Sequence, residues 1–512
     1  MIRVPMARAG ASSRTPASRS HTRLGLLPWL LAAHVACSSH ASDGAGPGAA
    51  APSAPLATAN EGWRSERPAP GPARTFDYPA AQLSALPNGV QLYLVPRRAG
   101  TVALAVVSRS GGSANGPGQS GLASLTLRVM TEATKTKAPL ALAEATESLG
   151  ASLDFDTGRD GSSVSLEVLP GDVDAGLALL AEVVTEPRMN ADDVGRVKKQ
   201  WLDSLVAERQ EPSRLSSLAG MRALLGMSAG APVRGSVPDV QRLTAADLAR
   251  FHRQHYVAGN LAVVAVGDLD MARLQQLAAA SLGRLPKAAP PAGAAPALPP
   301  APERLAVWVV DRPGSVQTAL FAGQPFPERA AAGYEPREVM NNLLGGLFTS
   351  RLNQNLREKH AYTYGARTLA IATRRWGALI AMSSVKTEST ADALAQLRAE
   401  LGALRTAPNP ITADELARSK VDLIHGLGAN LEHVSRMRSD TAELFVDGLP
   451  PDYHHAFPGL IQRVDAAAAF HEAERIDPDH LVVVLVGDRA QIEPALSAAG
   501  LHVEAAPARL TE

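Results

Sequence analysis

Cysteine is all but missing from this sequence: one, Cys37, in 512 residues. A single thiol closes no internal disulfide and founds no cysteine-based zinc cluster. Aromatic residues are also scarce, at 4%, which argues against the exposed ring platforms that stack single-stranded bases. No excess of charge exists either, since 50 Lys and Arg balance 50 Asp and Glu. Nothing in that balance gathers nucleic acid or an anionic membrane from a distance. The apolar run at residues 24–33 is too short to span a bilayer and contains Pro28. What remains is a globular composition, 46% hydrophobic and 20% charged. The chain is long enough for two or three domains around sizeable cores.

The first 37 residues follow the order of a secretory signal: a basic start, a short apolar stretch, then small residues. Arg3, Arg8, Arg14, Arg19 and Arg23 come first, with no acidic residue before Asp43. The run Leu24 to Ala33 follows, and then Val35-Ala36-Cys37. Cys37 resembles the acylated cysteine of a bacterial lipoprotein, although His34 stands where such signals usually carry Leu. The expectation is an exported protein, periplasmic or held at the outer membrane through a lipid on Cys37. A plain signal peptide is the alternative. A membrane enters only through that anchor.

Two stretches rich in Ala, Pro and Gly divide the rest. Residues 38–75 read as a disordered tether, because such a composition buries too little apolar area to offset its ordering. Residues 286–303 read as a Pro/Ala-rich linker. They leave folded regions at 76–285 and 304–505. The two regions share a feature. The first ends in Asn260-Leu-Ala-Val-Val-Ala-Val-Gly-Asp268, and the second in His480-Leu-Val-Val-Val-Leu-Val-Gly-Asp488. Each is a continuous apolar strand closed by a turn, preceded by a helical pattern at 243–255 or 464–473. A helix, strand and turn repeated at this interval predict tandem homologous domains.

In the first region, alternation at Val90, Leu92 and Leu94, at Leu153 and Phe155, and at Val164, Leu166 and Val168 predicts strands. Asp160-Gly161 supplies a hairpin turn between the last two. Helices are predicted at 122–131, 140–149, 173–184 and 194–208. Hairpins mixed with helices predict an α+β class, with helices on one face of a mostly antiparallel sheet.

Several segments together resemble the insulinase, pitrilysin and mitochondrial-processing-peptidase family. They are Ser120-Gly-Leu-Ala123, Gly235 to Tyr256 around Ser-Val-Pro-Asp-Val-Gln-Arg-Leu-Thr-Ala-Ala-Asp-Leu, Asp311-Arg-Pro-Gly-Ser-Val-Gln317, and most specifically Gly345-Gly-Leu-Phe-Thr-Ser-Arg-Leu-Asn-Gln-Asn-Leu-Arg-Glu-Lys-His-Ala-Tyr-Thr-Tyr364. The resemblance covers residues 76–505 and implies two tandem α/β-sandwich domains of the processing-peptidase type. It implies chemistry in two parts. One is zinc held by a helical His-x-x-Glu-His plus a distant Glu, the inner Glu deprotonating zinc-bound water. The other is an Arg–Tyr pair from a second domain that holds the substrate carbonyl and developing oxyanion.

Aligned on Ser120-Gly-Leu-Ala123, the metal positions carry Ser124, Leu127 and Arg128. Both imidazoles and the base are missing, and a guanidinium neither ligates zinc nor loses its proton. Carboxylates at 203–208 could supply a third ligand, but a lone carboxylate does not hold catalytic zinc. His252 with His255, and His454 with His455, lack a third ligand and read as surface histidines. Arg357 and Tyr364, by contrast, keep the family's spacing of seven. Tyr362 breaks it. Gly345 and Gly346 would give the chain room to turn beside a bound strand.

The reading that follows is a non-zinc, substrate-binding subunit, inactive alone and without a cofactor. Arg357, Tyr364, Gly345 and Gly346 would act in trans on a peptide held with a family paralogue that keeps His-x-x-Glu-His and carries the zinc. No nucleic acid is expected. The alternatives are an inactive peptide-binding or scaffold protein of the same fold and, less favoured, an active zinc endopeptidase.

Overall fold

The computed structural model describes residues 76–293, 296–405 and 410–512. The signal region, Cys37 and the tether lie outside the described residues. Two mixed six-stranded sheets organise the chain. The first contains β1 (Gln82–Ala85), β2 (Gln91–Pro96), β3 (Val102–Ser108), β4 (Asp154–Thr157), β5 (Ser162–Val168) and β6 (Leu261–Gly267), in the order β1-β2-β6-β3-β5-β4. The second contains β7 (Ala306–Asp311), β8 (Gln317–Phe326), β9 (Thr363–Ala372), β10 (Gly377–Lys386), β11 (Val482–Gly487) and β12 (Val503–Ala505), in the order β12-β7-β11-β8-β10-β9. Five positions correspond one to one. The outer strand at one edge differs: β1 runs antiparallel to β2, whereas β12 comes from the other end of the chain and runs parallel to β7.

The duplicated apolar runs are β6 and β11, buried throughout. Each pairs in parallel on one side, with β2 or β7, and antiparallel on the other, with β3 or β8. Alternate side chains of a strand point to opposite faces, so a strand apolar at every position needs cover on both. In β6, Leu261, Val263 and Ala265 join a core with the helices Leu122–Met130 and Val173–Thr185. Ala262, Val264 and Val266 face the other way and pack against Met437, Leu444 and Phe445 of the helix Val434–Asp447. The second sheet is treated alike. Val483 and Leu485 enter its own core, while Val482 and Val484 pack against Ala219, Leu224 and Leu225 of the helix Pro212–Ala229. The expectation of helices on one face is thereby corrected. Both faces of each sheet are covered, the second by a helix from the other half of the chain.

This exchange couples the halves energetically. Each fully buried Leu, Met or Phe on the exchanged helices contributes about 1.5–3 kcal/mol by leaving water. The contact is close at Gly220, where any Cβ would run into the Phe321 ring. Other helices start where their caps predict. Thr244 and Asp247 form a reciprocal capping box at the start of Ala245–His255, satisfying two of its orphan donors. No helix among the described residues is long and apolar enough to cross a membrane.

Candidate functional site

The helix Leu122–Met130 starts from Gly121, whose φ of 87° disfavours any side chain. A Cβ there would also press on the Arg234 carbonyl and Gly235. The start of the helix is thus locked onto residues 233–236. Ser124 continues the lock, its hydroxyl donating to the Val233 carbonyl at 2.7 Å. Leu127 is fully buried in the first core. Arg128 forms an ion pair with Glu132 one turn on, at 2.8 Å, and lies 5.7 Å from the Phe155 ring. Where a distant carboxylate would be needed, Glu208 is paired with Arg234, whose guanidinium stacks 4.4 Å over Trp201. These residues do not fit zinc. The hydroxyl is spent on a carbonyl, the leucine is core, and both guanidinia repel a cation. Among the described residues, no three His, Cys, Asp or Glu side chains gather as a metal-holding group.

Three of the four histidines need correction: His455 is exposed as expected, whereas His252, His255 and His454 are wholly or partly buried. His255 is buried with Nδ1 2.8 Å from the Ser110 hydroxyl, and His252 is half-buried with Nε2 2.7 Å from the Val184 carbonyl. His454 is buried with Nε2 2.9 Å from the Asp440 carbonyl. His455 contacts the Tyr78 carbonyl and the Asp77 carboxylate. Burial pushes the imidazoles of His252, His255 and His454 below their usual range.

The second candidate region is built differently. After the helix Tyr334–Asn341 the backbone widens into two π-helical turns, Asn342–Gly346 and Asn353–Lys359. Their five-residue bonds are explicit: Leu347 N to Asn342 O, and His360 N to Asn355 O. Such widened turns recur at functional sites. Asparagine side chains hold them open. Asn342 donates to the Ser419 carbonyl and Asp422, Asn355 donates to Gln396 and Glu400, and Asn353 accepts from the Ala366 amide of β9. The two glycines are needed within this chain. A Cβ on Gly345 would collide with Thr368 of β9, and one on Gly346 would collide with the Asn342 side chain. Gly345 is buried and Gly346 exposed.

Arg357 projects from the second turn and Tyr364 from the start of β9, the outer strand of its sheet. Tyr364 is 90% exposed. The two make no hydrogen bond to each other. Arg357 lies 4.2 Å over the Phe348 ring, with Glu358 at 3.6 Å, and its Nη1 is buried without a hydrogen-bond partner. Tyr362 turns inward, half-buried and stacked on His360 at 5.1 Å. Sequence reading missed Phe348, which is 67% exposed and covers the Arg357 guanidinium. Its signal was an aromatic directly after Gly-Gly-Leu.

The family model for the peptidase M16 inactive domain matches residues 242–422, and that for insulinase, peptidase family M16, matches residues 95–223. An uncharacterized zinc protease of Mycobacterium tuberculosis is 27% identical over 316 residues, 61% of this chain and 71% of that protein. A non-peptidase homolog from Helicobacter pylori is 24% identical over 362 residues, 70% of this chain and 82% of that one. The crystal structure of a peptidase M16 inactive domain from Pseudomonas fluorescens superposes with a TM-score of 0.73 at 26% identity, covering 80% of this chain and 98% of that one. With family models matched on both halves and a fold that superposes on that structure, the chain belongs to the insulinase family, peptidase family M16.

Proposed function

We propose that this chain is the non-zinc, substrate-binding subunit of a two-component peptidase. A paralogue with an intact His-x-x-Glu-His would supply zinc and base, and this chain would present Arg357 and Tyr364 to the peptide in trans. One observation carries the reading, the unequal fate of the two family segments. At Ser124, Leu127 and Arg128 the side chains are absorbed into core, carbonyl and ion-pair contacts. Around Arg357 and Tyr364, two π-helical turns persist and a tyrosine stands in solvent at a sheet edge. A guanidinium and a phenol are the donors that a developing oxyanion needs. The reading carries export with it, through the basic and apolar pattern of residues 1–37.

A second reading, an inactive peptide-binding or scaffold protein, draws on Phe348 covering the Arg357 guanidinium. One experiment separates them. Purified chain is titrated into a zinc-bearing family member and peptide cleavage is followed. The two-component reading predicts a rise in turnover, lost by about 10²–10³-fold on Arg357→Ala. No rise over the partner alone, or a rise that Arg357→Ala leaves intact, would sink it.

A further inference from the structure

A cavity of about 830 Å³ lies where the β4–β5 turn, the β9–β10 turn, the end of the 245–255 helix and the loop after β3 meet. Its lining is charged in one sense. Arg109, Arg159, Arg250, Arg374 and Arg375 face it, and Asp160 is the single carboxylate among the described lining residues. Arg250 is neutralised by Asp247. Arg374 is spent largely on structure: Nη2 donates to the carbonyls of Arg109 and Asp160, each at 2.9 Å, and its amide donates to Asp160 Oδ2 at 2.8 Å. Its Nε stands 4.0 Å from Asp160 Oδ1, and neither atom has a hydrogen-bond partner.

Arg109 and Arg159 have no ion pair among the described residues. Arg159 Nη1 reaches only the carbonyls of Ala229 and Ala231, with the guanidinium 5.5 Å over Trp376. Arg109 Nε reaches the Phe445 carbonyl at 2.7 Å, its guanidinium 4.2 Å over that ring. Burial pushes both below the usual arginine range, Arg159 to about 10. Guanidinia keep their charge; both are half-buried, and the one carboxylate near Arg159 is Asp160, which Arg374 already engages, so positive charge is in excess where desolvation is costly.

A neutral donor joins them. Asn260 Nδ2 lies 3.0, 2.9 and 2.7 Å from the Ser108 hydroxyl, the Ser110 hydroxyl and the His255 carbonyl, and the Ser110 hydroxyl pairs with His255 Nδ1 at 2.8 Å. With Nδ1 engaged, His255 Nε2 has no partner among the described residues, and the ring lines the cavity; protonated there, it is a donor.

We propose that this cavity binds a carboxylate carried by the peptide that the chain grips. The inference rests on the peptide-binding reading and adds a preference for acidic peptides. Continuity of one strand favours a peptide over a free ion. Tyr364 is the second residue of β9, and Arg374 lies two residues past its end. An extended chain covering that interval spans about 30 Å. A cavity of this volume accommodates several residues.

The test uses the full chain and three labelled peptides of one length. One bears Glu side chains and an amidated C-terminus, one bears Gln with a free C-terminus, and one bears Gln with an amide. Affinities are read by fluorescence anisotropy. Either acidic peptide binding about tenfold tighter than the neutral one supports the inference, and which of them does so identifies the carboxylate. Arg109→Gln and Arg159→Gln should bring that peptide down to the neutral value. Equal affinities in the unmodified chain overturn the inference and leave peptide binding standing, as does a preference that survives both variants. If no peptide binds, the inference and the reading beneath it both fail. Should either variant not fold, the other one, and the three peptides on the unmodified chain, still decide.

Discussion

Restoring the family's metal residues should break this protein before it binds metal. Consider the triple variant Ser124→His, Leu127→Glu, Arg128→His. Leu127 is fully buried, so its removal forfeits about 1.5–3 kcal/mol of burial. A carboxyl in its place, with no partner, holds its proton past neutrality. Moving a carboxyl pKa from about 4.3 to 7 or beyond costs about 4 kcal/mol at pH 7. Ser124 is also buried and already bonded to the Val233 carbonyl. Imidazole is larger than a hydroxymethyl group, and overpacking adds about 1–3 kcal/mol. The sum, about 7–10 kcal/mol, is comparable with the whole stability of a domain. Urea denaturation with and without zinc reads the effect, and Leu127→Ala, at about 3 kcal/mol, separates lost packing from buried charge. The variant should be unfolded or barely folded, and zinc should not rescue it. A triple variant as stable as the parent, taking up stoichiometric zinc, would refute the claim that this helix has been repacked into the core.

Acidity should stabilise a second region. Glu338 is pushed up to about 7, first by burial and also by Glu443 and Glu335, with Arg329 and Arg337 opposing. Asp447 is pushed up to about 6, chiefly by burial and Glu443. The folded state then keeps protons that the unfolded chain has released, so the contribution of these two carboxyls falls as pH rises from about 4.3 to 7 and levels off beyond, while the lowered imidazoles of His252, His255 and His454 act in the opposite sense toward about pH 6.5. Water reaches Glu338, which is half-buried, so its share is about 1–3 kcal/mol. Denaturation midpoints of the parent and Glu338→Gln on either side of that range isolate its share: the parent's advantage over the variant should shrink as pH rises, and a difference that does not change with pH would contradict the assignment. Arg337→Met should cost about 2–4 kcal/mol, because the carbonyls of Pro327, Glu328 and Ala332 lose their donor and the buried Glu472 carboxylate keeps only Arg475, at 3.1 Å; a loss under about 1 kcal/mol would remove Arg337 from the core's essentials. Gly220→Ala should cost about 1–3 kcal/mol by pushing on Phe321, measured by thermal or urea unfolding; an unchanged midpoint would contradict the close helix-on-sheet contact.

How much of this was legible depends on how local the signal is. The β6 and β11 runs announced themselves, because seven and six successive buried positions leave an uninterrupted apolar string. The 245–255 helix was legible from its capping pair, and the 158–161 turn from Asp-Gly. The helix Pro212–Ala229 was not, because its contact face is built from small residues such as Ser216, Ala219 and Gly220 that carry little periodic hydrophobicity. Its partner is a sheet from the other half, so nothing nearby in sequence pointed to it. The π-helical turns had no local signal either, since they depend on Asn342, Asn353 and Asn355 finding partners 13 to 80 residues away. His255 and His454 were misplaced for a similar reason: polarity suggested surface, but Ser110 and the Asp440 carbonyl satisfy them inside.

The central claim is that the metal half of the family's chemistry is absent from this chain's own residues. Zinc bound by the purified, unmodified chain, measured by equilibrium dialysis and elemental analysis, tests it most directly. The account predicts far less than one zinc per chain, unaffected by Ser124→Ala or Arg128→Ala. A stoichiometric zinc, lost on either substitution, would contradict it.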